Sequence, residues 1–148
     1  FEIVLSCDLV VASETATFGL PEVSIGVLAT CAGLFRGPRA LPPNVGREMI
    51  LTGLPLDATR AYQLGLANRL VSPGTAVDAA LALATQITTN APVSVQASLE
   101  AANFVLGLHD ERGWEATTRA LTRLGESSDS SEGIAAFFEK RPPRWTGR

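Results

Sequence analysis

Thr17-Phe18-Gly19-Leu20-Pro21-Glu22-Val23-Ser24-Ile25-Gly26 is the stretch on which the reading of this chain turns. It sets one acid, Glu22, directly after a proline, among apolar neighbours and between two glycines. Proline's fixed φ and missing N–H suit the first position of a helix. Glu22 then falls in the first turn, where backbone N–H groups without helical partners favour a carboxylate. An acid at the mouth of an apolar region also serves as a general acid or base, because burial and neighbours tune its proton affinity. Two readings therefore stand: Glu22 complements a helix N-terminus, or it moves a proton.

Upstream, Phe1-Glu2-Ile3-Val4-Leu5-Ser6-Cys7-Asp8-Leu9-Val10-Val11-Ala12 carries Glu2 as a lone acid leading an apolar run. The whole chain has 148 residues, 46% of them apolar, and a mean hydropathy of +0.20, which suffices for one sizeable core. Lysine and arginine number 12 against 15 aspartates and glutamates, a net charge of −3, so no general nucleic-acid surface is expected. No uncharged apolar run reaches membrane-spanning length, and no signal-peptide pattern is present. The two cysteines, Cys7 and Cys31, lack metal-ligand spacing and read as buried, reduced thiols of a cytoplasmic protein. The single His109 cannot build a metal site, and an exposed place near a helix end is expected for it.

Local signals predict a short helix continuing through Ile3 to Leu5, a buried strand at Leu9 to Ala12, and a second short strand at Thr17-Phe18. The small residues Ala29-Thr30-Cys31-Ala32-Gly33 read as a loop entering a helix, which points N–H groups at whatever lies before it. Pro38 and Pro42-Pro43 are expected to interrupt that helix, and Asn44 to cap the next, Val45 to Leu51. Gly53 stops it, Asp57 caps Ala58 to Leu64, and Leu66 to Val71 is strand-like. From Ala76 onward helices dominate. Val77, Ala80, Leu81, Ala84 and Ile87 form one apolar stripe, and Val95, Leu99, Ala102 and Leu106 a second. Trp114, Leu121 and Leu124 lie on a third helix, with Trp114 in the core or at a subunit interface. Ser127 to Ser131 reads as a polar turn before a terminal helix, Glu132 to Arg141, stopped by Pro142-Pro143.

The segment from Glu2 to Glu22 resembles the crotonase, or enoyl-CoA hydratase/isomerase, superfamily. That family has a glutamate opening a helix, a C-D-x-x-x-A strand and then F-G-x-P-E-x-x-x-G. Cys7-Asp8-Leu9-Val10-Val11-Ala12 and Phe18-Gly19-Leu20-Pro21-Glu22 fall in that order, with the two glutamates twenty positions apart. Leu51-Thr52-Gly53, Ala58, Ala61, Gly65-Leu66 and Val71 match a further family stretch and read as packing and turn positions. Glu132-Gly133-Ile134-Ala135-Ala136-Phe137-Phe138-Glu139-Lys140-Arg141-Pro142-Pro143-Arg144-Trp145 resembles its terminal E-G-x-x-A-F-x-E-K-R-x-P-x-W.

The resemblance implies an α/β crotonase (ClpP-like) fold, with residues 1–72 as the second half of the ββα spiral core. Residues 73–148 would form the helical region that assembles trimers or hexamers and borders the CoA site. Phe1 falls inside an element rather than before one, so the resemblance makes this chain the C-terminal portion of a subunit. An acyl-CoA thioester substrate is implied, with CoA arriving as part of it and no metal or other cofactor required. Glu2 and Glu22 would share the proton transfers of an enoyl-CoA hydratase, since isomerases of the family generally manage with the second glutamate. Thr30 stands where the family commonly has glycine and would shape the pocket. Phe137 would line the acyl or pantetheine tunnel, and Lys140 would face a CoA phosphate. In the family, the two backbone N–H groups that polarise the thioester carbonyl come from a loop in the N-terminal half and a glycine-rich turn just before the position of Glu2. The alternatives are another crotonase-type acyl-CoA enzyme, such as an isomerase, or a non-catalytic fragment that only associates with subunits.

Overall fold

The computed structural model describes residues 1–107 and 109–147. Among the described residues, four short strands and seven α-helices follow a 3₁₀ helix at Val4–Ser6, with a second 3₁₀ helix at Pro21–Ile25. Strand β1 (Val11–Ser13) pairs in parallel with β4 (Arg69–Val71), Ala12 opposite Leu70. Strand β2 (Thr17–Phe18) pairs antiparallel with β3 (Leu56–Asp57), Phe18 opposite Leu56. Between them run α1 (Gly33–Ala40), α2 (Pro43–Thr52) and α3 (Ala58–Gln63). The second half is helical: α4 (Ala76–Thr88), α5 (Pro92–Gly107), α6 (Asp110–Gly125) and α7 (Ser128–Glu139).

The buried core joins Ala12, Phe18, Leu41, Met49, Ala58, Ala61 and Ala67, with Phe1, Val4 and Leu56 packed on its margin. Alanines dominate because strands and helices approach closely here, where a larger side chain would overlap its neighbours. Leu20, 2% exposed, is the largest fully buried side chain among the described residues.

Several expected boundaries move, each for a physical reason. Helix α2 begins at Pro43 rather than after Asn44: Pro42 occupies the cap position, and its carbonyl accepts from the amides of Val45 (2.9 Å) and Gly46 (3.1 Å). Pro38 lies inside α1 without ending it, near the last turn, where the missing amide loses a single bond. The strand expected at Leu9 shifts to Val11, since pairing with β4 selects the segment, and Leu9 is 45% exposed. Only Arg69–Val71 of the strand-like Leu66 to Val71 pairs. Ser127 caps α7 by accepting from the Asp129 amide (3.0 Å), so the expected polar turn is helical from Ser128. That helix ends at Glu139, two residues short of the expected Arg141, and is capped by Lys140 in a left-handed conformation (φ 52°).

Asp57 caps α3 as expected, accepting from the Arg60 amide at 2.7 Å, and Gly53 closes α2 at φ 70°. Both cysteines are exposed rather than buried: Cys7 follows the first 3₁₀ helix on its outer side, and Cys31 lies in the loop before α1. The α4 stripe is also displaced. Val77 and Leu81 are 70% and 61% exposed, while Ala76, Ala79, Leu83 and Ile87 are half-buried, because α4 packs on β1 with that side. His109 is exposed and stands at the N-cap of α6.

Candidate active site

Glu2 sits in the turn ahead of the 3₁₀ helix at Val4–Ser6, where the Leu5 amide donates to the Phe1 carbonyl at 3.1 Å. Its carboxylate reaches across to the start of α1, where Oε1 accepts from the Gly33 amide at 2.9 Å. Amides of a helix's first turn have no carbonyl four residues back, so a carboxylate there satisfies a donor and meets the positive end of the helix dipole. Only glycine fits this approach. A Cβ at Gly33 would lie 2.7 Å from Ala29 Cβ, 2.9 Å from Glu2 Oε1 and 3.0 Å from Leu20 Cδ2. Ala32, just before it, holds φ 78°, a left-handed conformation that costs a non-glycine residue on the order of 1–2 kcal/mol.

Glu22 lies in the first turn of the 3₁₀ helix Pro21–Ile25, with Pro21 at its start as expected. Gly26 closes that turn at φ 70°, its amide donating to the Val23 carbonyl (3.3 Å), and the Val27 amide donates to the Glu22 carbonyl (3.1 Å). Buried Leu20 anchors the near side of the turn against the position of Gly33, so Glu22 is two residues from the contact that holds Glu2. Glu22 Oε2 is buried with no hydrogen-bond partner among the described residues. A buried carboxylate oxygen without a donor is costly, and a catalytic role is one of the reasons for which native structures keep such a group.

The other expected residues divide between two places. Thr30 is half-buried in the loop that enters α1, between exposed Cys31 and buried Ala29, whose Cβ lies 2.7 Å from the Cβ position of Gly33. Phe137 and Lys140 border a cavity of about 240 Å³ together with Ser24, Ile25, Gly133 and Ala136, on the side of the Glu22 turn that faces α7. Phe137 is 62% exposed, so it is no core residue. A second cavity, of about 320 Å³, lies between Val23, Val27, Leu28, Leu124 and Trp145.

Two charge clusters escape a motif-based reading. Arg36 donates to Asp110 Oδ2 through Nε (3.1 Å) and Nη2 (2.7 Å), and Arg39 Nη1 donates to Asp110 Oδ1 (2.5 Å), tying α1 to α6. Burial alone would raise the Asp110 pKa, but these guanidinium hydrogen bonds outweigh it and hold the carboxyl below its ordinary value. At the other end, Arg141 donates to both oxygens of Glu132, at 2.6 and 2.9 Å, and the Arg144 amide adds a bond of 2.7 Å. The Arg141 hydrogen bond, then that of Arg144, pulls the Glu132 pKa down to about 2. The acidic and basic residues of the terminal motif were the available signal, but their pairing needs the chain to reverse at the left-handed Lys140 that ends α7.

Among the described residues no helix is long and apolar enough to cross a membrane, and no three His, Cys, Asp or Glu side chains gather as metal ligands. The profile of the enoyl-CoA hydratase/isomerase family matches residues 1–148. The chain belongs to the enoyl-CoA hydratase/isomerase family.

Within that family, a carnitinyl-CoA dehydratase from Proteus mirabilis (strain HI4320) is 38% identical over 152 residues, covering 100% of this chain. The chain spans 58% of that relative's length. The structure of a carnitinyl-CoA dehydratase from Mycobacterium avium 104 superposes with a TM-score of 0.92 at 48% identity, over 99% of this chain and 58% of that one. An enoyl-CoA hydratase from Mycobacterium tuberculosis H37Rv is 42% identical over 97% of this chain and 57% of that one, with a TM-score of 0.68. The crotonase fold expected from the motifs is therefore the fold of this enoyl-CoA hydratase/isomerase chain, and the described residues form its mostly helical C-terminal part with a small sheet.

Proposed function

We propose that this chain carries the proton-transfer half of an acyl-CoA hydratase/dehydratase site, with Glu2 and Glu22 as its catalytic residues. The supporting observation is the contrast between the two carboxylates: Glu2 is held by the Gly33 amide, and Glu22 keeps one buried oxygen without a partner among the described residues. In the hydration direction, Glu2 takes a proton from water as its oxygen bonds to the β-carbon. The C=C electron pair moves toward the thioester carbonyl, and Glu22 delivers a proton to the α-carbon. One proton is gained and one lost, so water is added overall, and exchange with solvent resets both carboxyls. Dehydration of a 3-hydroxyacyl thioester runs the same steps backward.

The enolate-like charge on the thioester oxygen needs backbone donors, which in the family precede the position of Glu2. No residue of this chain is assigned that role. Thr30 narrows the pocket beside Glu2, Phe137 lines the acyl or pantetheine path, and Lys140 meets a CoA phosphate. CoA enters as part of the substrate, and the subunit forms a trimer or hexamer. The names of the relatives favour a carnitinyl-CoA as one candidate substrate beside simple enoyl thioesters.

The test follows loss of the enoyl absorbance of crotonyl-CoA, and formation of the enoyl product from a 3-hydroxyacyl-CoA, in the subunit that carries this chain. Glu2→Gln and Glu22→Gln are each expected to lower kcat on the order of 10²–10⁴-fold, the usual contribution of a general acid or base. Full activity in either variant removes that residue from the mechanism. Double-bond migration without hydration selects the isomerase reading instead.

A further inference from the structure

The Glu22 turn does not stand alone: α7 is pressed against it at a point where backbone meets backbone. A Cβ at Gly133 would overlap the Ile25 carbonyl oxygen, and one at Gly26 would lie 2.8 Å from the Asp129 carbonyl. The Trp145 ring closes over both glycines, 3.3 Å from the Cβ position of Gly26 and 3.0 Å from that of Gly133. With no Cβ on either glycine, the apolar cover of this contact comes from Trp145, a residue of the segment that follows α7.

That segment is tied down by charged groups immediately beside the contact. Glu132, the residue before Gly133, takes both Nη atoms of Arg141 and the Arg144 amide. Asp129, one helical turn earlier, accepts from the Thr146 amide (2.7 Å) and the Gly147 amide (2.8 Å). The segment after α7 is thereby folded back along it, with Trp145 between the two anchor points.

We propose that the Glu132–Arg141 pair is a positioning device for Glu22. By fixing the returning segment it seats Trp145 and Gly133 on the turn, and the turn in its seated form directs the Glu22 carboxyl into the site. Glu132 is a positioning residue: it acts through Arg141, Trp145 and the Ile25 backbone and touches no substrate. The inference rests on the role given to Glu22 above.

The experiment reads amide hydrogen exchange at Gly26 and Val27, whose N–H groups close the turn onto Val23 and Glu22. It pairs this with kcat and KM in the subunit that carries the chain. Glu132→Gln is expected to speed exchange at these two amides about tenfold, as local opening does, and leave exchange in α4, which packs on β1, unchanged. It lowers kcat about tenfold with KM within about twofold, because a carboxyl displaced from the reacting atoms weakens chemistry rather than binding. Glu132→Asp restores part of both, and Gly133→Ala, which drives α7 off the turn, reproduces both without touching a charge. Should Glu132→Gln not fold, Arg141→Lys, which keeps the charge and loses the fork, takes its place, read by exchange and kcat alone because Arg141 also borders the cavity beside Phe137.

Unchanged exchange at Gly26 and Val27 overturns the proposal, and so does faster exchange with unchanged kcat. Failure of the proton-transfer reading is visible separately: Glu22→Gln then retains turnover whatever Glu132 does.

Discussion

The Gly33 amide and the Glu2 carboxylate, 31 positions apart, are joined by a 2.9 Å hydrogen bond that docks the N-terminal turn on the first turn of α1. A methyl group at Gly33 would lie 2.9 Å from the oxygen that accepts this bond and 2.7 Å from Ala29 Cβ. Gly33→Ala is therefore expected to destabilise the protein by about 1–3 kcal/mol, the usual range for overpacking. It should also lower kcat/KM by more than Glu2→Asp does, because it displaces the loop carrying Thr30 as well as the carboxylate. Thermal unfolding beside enoyl-CoA turnover checks both, and a Gly33→Ala enzyme with unchanged stability would mean that the loop relaxes freely.

Asp110 predicts an acid-sensitive joint between α1 and α6. Its folded pKa lies below the ordinary 3.8, so its contribution is complete above that value and is lost as pH falls through the lower, folded one. Arg36 and Arg39 face it from α1, and its side chain is 20% exposed. Asp110→Asn is expected to cost about 1 kcal/mol at pH 7, toward the upper end for partly exposed pairs. The difference from the parent should shrink as pH falls below 4, in denaturant titrations run at each pH. A difference that persists unchanged at low pH would assign the loss to packing rather than charge.

Glu132 extends the same argument to the far end of the chain. Its pKa moves from the ordinary 4.5 to about 2, first through Arg141 and then the Arg144 amide. The pair's contribution is therefore full above 4.5 and disappears as pH falls toward about 2. Glu139 also bonds Arg141, and Asp129, held low by the amides of Thr146 and Gly147, lies on the same face. In a Trp114→Phe background, Trp145 emission should stay constant at neutral pH and shift to the red only in acid. Glu132→Gln should show part of that shift already at pH 7, leaving the Asp129 step for acid. Emission insensitive to both acid and Glu132→Gln would separate Trp145 from the charged anchors.

The parts of the fold legible in the sequence were those encoded by neighbours in the chain. Pro21 followed by an acid and closed by Gly26, Asp57 ahead of Ala58, and Gly53 after Thr52 each state a local conformation, and each appears in the structure. Periodicity showed that α4 has an apolar face but not which side meets β1, since that depends on a strand more than sixty positions earlier. Strand β3, two residues long like β2, has no β-branched or aromatic residue to mark it, and only its pairing with Thr17 and Phe18 makes it a strand. Serines suit turns and caps alike, so Ser127 to Ser131 concealed the first turn of α7. The positions of both glutamates were readable from motif spacing. The Gly33 amide that holds one and the returning segment beside the other were not, because neither contact leaves a local pattern.

Lys140 offers a case in which stability and binding should separate. It ends α7 at φ 52°, a conformation glycine adopts without penalty, and its side chain is exposed beside the cavity bordered by Phe137. Lys140→Gly is expected to raise stability by about 1 kcal/mol, since a non-glycine residue there pays on the order of 1–2 kcal/mol. For a chain of this size that amounts to a few degrees in Tm. If the ammonium meets a CoA phosphate, the same variant raises KM for an acyl-CoA about tenfold, the equivalent of one charge-assisted hydrogen bond of about 1.5 kcal/mol. KM for an acyl-pantetheine thioester, which lacks the nucleotide phosphates, should not change. Lys140→Ala should raise KM equally while gaining no stability, because its Cβ keeps the left-handed strain. A higher Tm with unchanged KM for acyl-CoA would leave Lys140 as a helix terminus only, and the phosphate contact would have to be sought elsewhere.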